Sequence, residues 1–406
     1  MAKLGEYEPV VGKSVVEELF LLAGHLKGRV MQHVNSTAVG GGVAEILNRL
    51  IPLFRDLGVE ARWDVIKGDE EFFVITKKFH NMLHGRMEKL TKEDIEYFEE
   101  VGDFNLKEIN FSGDFIFIHD PQPVTLIKKK AEVGRKWVWR CHIDSASAES
   151  SLWNYLAGYI KDYDAAIFST MAFSKDLPCR QVIISPSIDP MSDKNKELEQ
   201  EFINRVLERF QIDKDRPIIT QISRFDYQKD PLGVIKVYRL VKKRVDCQLV
   251  LAGGGATDDP EGQKILEMVR EESKDDPDIH VLLLPPASDK DINALQRASN
   301  VILQKSLREG FGLTVAEALW KEKPVVASAV GGIPLQVVHN YTGLLSHTVE
   351  GTAGFVKQLL QNPEHAKKLG TNGREHIRQN FLVTRHIRDY LLLMLSLEKE
   401  GDFIYL

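Results

Sequence analysis

The chain has 406 residues, of which 43% are hydrophobic and 28% charged, with a net charge of −6. That length asks for two or three domains, since single cores stop growing at a few hundred residues, and the composition excludes a collagen-like or disordered chain. The acidic balance argues against nucleic acid as the main partner, and no apolar run approaches the roughly eighteen residues of a membrane span.

Glu17 and Glu18 precede the apolar stretch 19–23, where a signal peptide would carry positive charge. The three cysteines, Cys141, Cys179 and Cys247, are odd in number and far apart. They form neither a disulfide framework nor a zinc motif, so a reducing, cytoplasmic compartment is the expectation.

In chain order, short apolar runs alternate with longer amphipathic stretches. Strands are predicted at 30–34, 61–66, 115–119, 137–141, 165–168 and 181–184. Between the first two, residues 43–57 read as a helix with Ile46, Leu47, Leu50, Leu53, Phe54 and Leu57 on one face. A second helix is expected around 88–100. Pro186 to Pro190 and the polar stretch 192–200 then read as a linker and hinge. The pattern restarts with strands at 217–222, 248–251, 279–284, 301–303 and 324–327, and ends in an amphipathic helix over 384–399. Strands alternating with helices imply a parallel sheet in each half. The expected fold class is α/β, with two doubly wound Rossmann-like domains facing each other across a cleft. The expected divisions are 1–188, 189–382 and a final segment 383–406 that crosses back to the first domain.

In such sheets ligands bind beyond the carboxyl ends of the strands. The first strand leads into Asn35 and then Gly40-Gly41-Gly42 before a helix, where backbone N–H groups can approach a phosphate or sugar. The third ends in His119-Asp120-Pro121-Gln122 and the fourth in His142-Ile143-Asp144. In the second half, Arg224 and Lys229 follow the first strand and are placed to clamp a diphosphate. The most specific run is Glu309-Gly310-Phe311-Gly312-Leu313-Thr314-Val315-Ala316-Glu317. Its glycines predict a turn whose backbone can touch a ligand, and Thr314 with Glu317 fits a capping box at a helix start.

Glu309 and Glu317, eight positions apart around Gly310-Phe311-Gly312, with Arg224 and Lys229 upstream, resemble the retaining glycosyltransferases of family 4, which have the GT-B fold. The stretches 33–37, 40–47, 115–123, 139–144 and 258–262 resemble, more closely, the glycosyltransferring trehalose synthases. The resemblance implies an enzyme that joins the glucose of a nucleoside diphosphate glucose to free glucose, reversibly. It implies Arg224 and Lys229 on the diphosphate and Glu309 on the donor hydroxyls. Backbone of Gly310, Phe311 and Gly312 would also face the donor sugar. Glu317 would meet the ribose, Leu313 and Thr314 would lie beside the phosphates and ribose, and Gly41 and Gly42 would face the donor from the other domain. It places Asp120 and His142 at the acceptor and counts His142 with Arg224, Lys229 and Glu309 as catalytic; Asn35, Gln122 and Asp144, in the same loops, are polar groups suited to sugar hydroxyls and are expected to join them. Gln122 stands where related trehalose-6-phosphate synthases carry a second histidine.

The implied chemistry uses no protein nucleophile; the leaving phosphate takes the acceptor proton. No resident metal or cofactor is implied, with magnesium a candidate companion of the diphosphate and a homodimer a candidate assembly. Rival readings are a trehalose phosphorylase, a sugar-nucleotide epimerase and a silent sugar-nucleotide-binding protein.

Overall fold

The structure is a computed structural model of the chain and describes residues 3–38, 42–254 and 260–399. The chain divides into two compact units, Met1–Pro186 with Val383–Leu406, and Ser187–Leu382. Each is built on one six-stranded sheet.

In the first unit the strands are β1 (Val30–Asn35), β2 (Glu60–Val65), β3 (Phe115–His119), β4 (Lys136–Arg140), β5 (Ala165–Phe168) and β6 (Arg180–Ile183). They pair in parallel in the order β2-β1-β3-β4-β5-β6. Side chains alternate between faces along each strand. One face of the sheet sends Ile116 and Ile118 of β3, Trp137 and Trp139 of β4, and Phe168 of β5 into a core. The Glu70–Leu83 helix packs there with Phe72 and Phe79, and the Lys92–Glu108 helix with Phe98. Phe117 points the other way and meets Tyr390 of the Val383–Glu398 helix, ring centroids 5.2 Å apart.

That last helix lies on the first unit because ten of its side chains are buried, among them Ile387, Tyr390, Leu391, Met394 and Leu395. Its neighbours are the Lys13–Gly24 and Gly42–Asp56 helices. The helix expected around 88–100 begins only at Lys92. Thr91 caps it by accepting from the Asp94 amide, while the Asp94 carboxylate accepts from the Thr91 amide.

The second unit holds β7 (Ile218–Ile222), β8 (Gln248–Gly254), β9 (Ile279–Leu284), β10 (Val301–Gln304), β11 (Val325–Ser328) and β12 (Leu344–Ser346), ordered β12-β11-β10-β7-β8-β9 and again parallel. Cores cover both faces. The polar stretch 192–200 is not a loose tether. Ser192 and Asn195 are buried, and the Asn195 amide donates to the Asp189 carbonyl and the Ser192 hydroxyl. The Asn293 side chain fastens it further by donating to the carbonyls of Asp193 and Lys196.

Both orders have one point where the winding reverses. In the first sheet it falls between β1 and β3, and in the second between β7 and β10. A crevice opens at such a reversal, beyond the carboxyl ends of the two strands, because the following loops leave in opposite directions. Among the described residues no helix is long and apolar enough to cross a membrane.

Candidate active site

At the reversal in the second unit, the segments after β7 and β10 are bonded together. Asp226 accepts from the Lys229 amide at 3.1 Å, and the Gln221 side chain donates to the Lys229 carbonyl at 2.8 Å. With its backbone held on both sides, Lys229 reaches Glu309, Nζ to Oε2 2.7 Å. The same Oε2 accepts from Gln304 at 3.3 Å and Ser306 at 3.2 Å. The other carboxylate oxygen, Oε1, has no partner among the described residues. Lys305 is paired with Asp230, so its charge is met locally. Arg224 stands apart from this group: its side chain is 65% exposed and pairs with Asp226 at 3.2 Å.

The loop 309–312 is held open by glycine. Gly312 has φ 83° and occupies the N-cap of the Leu313–Trp320 helix. The capping box expected from Thr314 and Glu317 is not formed. No side chain caps this helix, and the Thr314 hydroxyl instead donates to Gln304 Oε1 at 3.1 Å. The left-handed turn at Gly312 moves the helix start back to Leu313 and turns Thr314 toward β10. Glu317 is buried, one turn from Lys321, whose ammonium donates to the Glu317 carbonyl and to Asn195, each at 3.0 Å. Burial lowers the Lys321 pKa and the neighbouring Glu317 opposes that shift. The loop after β11 closes over Gly310: the Gly332 amide donates to its carbonyl at 2.9 Å, and a Cβ at Gly331 would lie 1.7 Å from the Glu309 carbonyl oxygen.

At the reversal in the first unit, Asn35 is committed to the scaffold. Its amide donates to the Thr37 carbonyl at 2.8 Å, and its Oδ1 accepts from Trp63 at 2.6 Å. Asp120 sits at φ 64° and accepts from the His142 amide at 2.7 Å. Burial pushes its carboxyl up to about 7. Asp144 accepts from the Ala146 amide at 3.0 Å, an ordinary loop bond. Gln122 is partly buried, and its Oε1 has no partner among the described residues. Gly42 opens the Gly42–Asp56 helix, and a Cβ there would meet nothing within 4 Å. Gly41 lies outside the described residues, as do Asp258 and Asp259 of the acidic loop.

Three histidines form a line beneath these loops. His33 Nδ1 lies 2.9 Å from His119 Nε2, and His119 Nδ1 lies 2.9 Å from His142 Nε2. The rings of His119 and His142 stack at 5.2 Å. His33 and His119 are buried, whereas His142 is partly exposed. Burial pulls His33 down to about 3 and the other two well below the ordinary imidazole range, which favours the neutral ring in all three. Arg140, the last residue of β4, is wholly buried and donates to the Ser169 hydroxyl at 3.4 Å.

Sequence reasoning paired neither His33 with His119 nor Lys229 with Glu309, and it passed over Gln304, Ser306, Gly331 and Lys321. The signals were a histidine near the carboxyl end of β1, β3 and β4 alike, and a second diglycine, Gly331-Gly332, just after β11. It also overlooked two cations near the loop that follows His142. Lys175 donates to the Ala146 carbonyl at 2.9 Å. Arg86 follows Gly85, at which a Cβ would lie 2.6 Å from the Ser147 carbonyl.

Residues 33–175 match the family model described as trehalose synthase, N-terminal domain, and residues 203–376 that of glycosyl transferases group 1. A trehalose synthase of Pyrococcus horikoshii is 46% identical over 97% of this chain and 96% of its own length. A trehalose phosphorylase of Grifola frondosa is 31% identical over 86% of this chain but only 54% of its own length. Among solved structures, a UDP-forming trehalose-phosphate synthase from Burkholderia xenovorans, in complex with glucose-6-phosphate, superposes with a TM-score of 0.72. It covers 92% of this chain and 100% of its own at 14% identity, a likeness of fold. With two doubly wound sheets, a Lys229–Glu309 pair at the winding reversal of the second, and near-complete overlap with a trehalose synthase, the chain belongs to the trehalose synthase family of GT-B glycosyltransferases.

Proposed function

We propose that the protein makes trehalose by moving glucose from a nucleoside diphosphate glucose to free glucose, with retention at the anomeric carbon and in a reversible reaction. The observation that carries this reading is the 46% identity with a trehalose synthase over 97% of the chain. The phosphorylase relative matches more weakly and over little more than half its length, which favours nucleotide over phosphate as leaving group.

The donor's diphosphate is assigned to Arg224 and Lys229. Both add positive charge where negative charge grows as the bond from C1 to the leaving oxygen breaks. Glu309, its Oε2 held by Lys229, Gln304 and Ser306, keeps Oε1 to accept from sugar hydroxyls. The ribose is assigned to Glu317. At the acceptor, Asp120, Gln122, His142, Asn35 and Asp144 supply groups suited to hydroxyls. The acceptor oxygen bonds to C1 as its proton passes to the departing phosphate oxygen. The protein's contribution is then positioning and charge stabilisation.

A free sugar suits the acceptor side better than a phosphorylated one. Arg140 is wholly buried, and Lys175 is engaged with a backbone carbonyl. A sugar phosphate, of charge about −1.5 to −2, would want exposed cations there. Arg86 is the neighbouring cation that the assay puts on trial. Offered nucleoside diphosphate glucose with glucose or glucose 6-phosphate, the enzyme should give trehalose and turn over faster with glucose. Preference for glucose 6-phosphate, with a phosphorylated disaccharide as product, would sink the acceptor assignment. Product formation from glucose 1-phosphate without nucleotide would instead mark a phosphorylase.

We further propose that magnesium enters only with the donor's diphosphate, that the three cysteines, which form no disulfide, belong to a reducing cytoplasmic setting, and that the chain forms a homodimer. Chelator dialysis before assay and sedimentation analysis check the first and last.

A further inference from the structure

We infer that His142 offers its ligand an N–H donor rather than a basic nitrogen, and that His33 and His119 are positioning residues that hold it in that tautomer. The inference rests on the reading of His142 as a sugar-facing residue. A neutral imidazole carries one proton, so it donates from one nitrogen and accepts at the other. In a line of three joined by two N···N contacts of 2.9 Å, the choice at one end fixes the choice at the other.

Two arrangements satisfy both contacts. In the first, His33 Nδ1–H donates to His119 Nε2 and His119 Nδ1–H donates to His142 Nε2. His142 then carries its proton on Nδ1, which has no partner among the described residues, and His33 Nε2 is left as a bare lone pair. In the second, every proton sits on Nε2. His142 Nδ1 is then bare, and an N–H is stranded at His33 Nε2.

The far end decides between them. His33 Nε2 is buried and has no hydrogen-bond partner among the described residues. His33 stacks on Phe117, with centroids 5.1 Å apart and planes 28° apart, so its ring N–H groups run alongside that aromatic face rather than into it. A stranded buried N–H is rarer in proteins than an under-used acceptor. The first arrangement therefore prevails, and His142 Nδ1–H faces outward. Such a group donates to a hydroxyl or phosphate oxygen and cannot take a proton from the acceptor. That role falls to the leaving phosphate, and no atom or charge is left unbalanced.

The test is ¹⁵N spectroscopy of the full-length enzyme labelled at histidine nitrogens, with single variants to assign the signals. His33, His119 and His142 should all read as neutral Nδ1–H tautomers from pH 6 to 8. His33→Asn keeps an amide N–H near the position of Nδ1. It should preserve the His142 signal and hold kcat within about threefold, whereas His33→Leu, which supplies no donor, should lower kcat about tenfold or more with little change in donor KM. A wild-type spectrum with His142 bare at Nδ1, or an unchanged kcat in folded His33→Leu, overturns the inference. If His33→Leu fails to fold, the wild-type spectrum decides alone. The spectrum needs no turnover, so an enzyme that makes no trehalose yet shows the Nδ1–H signal refutes the proposed reaction and not the tautomer.

Discussion

Arg224 and Glu317, both assigned above to the donor, sit in opposite settings. Arg224 is mostly exposed, on a loop, and meets Asp226. Glu317 is buried in the first turns of a helix, beside Lys321. If Arg224 meets charge that grows during reaction, Arg224→Ala should lower kcat about a hundredfold at saturating donor. If Glu317 meets a ribose that does not react, Glu317→Gln should raise donor KM about tenfold and leave kcat nearly intact. Steady-state kinetics on both variants check this, and an undiminished kcat in Arg224→Ala removes its assigned role. The histidines carry a pH signature of their own. His33, held near 3, stays neutral in the folded chain while the unfolded chain protonates it below about 6.5. Stability therefore falls as pH drops from about 6.5 toward 3, and His119, His142 and His386 add to the fall. Asp120 works in the opposite sense. Pushed up to about 7 from 3.8, it keeps a proton when folded that the unfolded chain releases, so its contribution is present below about pH 4 and lost as pH rises through 7. Asn tolerates the left-handed backbone at this position and still accepts from the His142 amide. Asp120→Asn should therefore make Tm fall more steeply between pH 7 and 4, and scanning calorimetry across that range reads it directly.

Among elements, the two loops that meet at Glu309 matter most. Gly331 has φ 55° and abuts the Glu309 carbonyl. Alanine there would incur roughly 1–2 kcal/mol for the left-handed backbone and would have to push Glu309 aside. Gly331→Ala should thus lose tenfold or more in kcat, with Tm lower by a few degrees; a variant with native kinetics would show that Glu309 needs no such support. This loop also marks where the sequence was hard to read. The buried strands were legible because each is an apolar run bounded by polar turns, as 115–119 and 165–168 show. β12 was not, because three residues, Leu344–Ser346, carry too little pattern to stand out. The start of the Leu313–Trp320 helix was misjudged because Thr314 and Glu317 have capping-box spacing, and only three-dimensional structure reveals that Gly312 has already turned the chain. The candidate residues could be picked out in the sequence because they follow strand ends. Their partnerships could not, since Lys229 and Glu309 are eighty positions apart in sequence and join only through the order of β7 and β10.

For the whole molecule, the division into units does not follow the chain's linear order. The first unit needs residues from both termini, and the second is one continuous stretch. The Val383–Glu398 helix covers Phe117 and His33 with Tyr390. Burying side chains such as Tyr390, Leu391, Met394 and Leu395 contributes about 1.5–3 kcal/mol each, comparable in sum with a domain's entire stability. A chain ending at Arg385 should therefore aggregate, as gel filtration would report; a soluble, fully active truncation would contradict it.

That covering helix also sets a timetable. A ribosome delivers residues 187–382 complete before it makes the Val383–Glu398 helix that the first unit requires. The later-made unit can fold while the earlier-made one waits with Phe117 and its neighbours uncovered. Nascent chains stalled just before Val383 should resist protease across the second sheet and yield within the first. The unit begun earlier along the chain is thus the later of the two to be sealed, because Tyr390, which covers its histidine line, is made after the whole of the second unit.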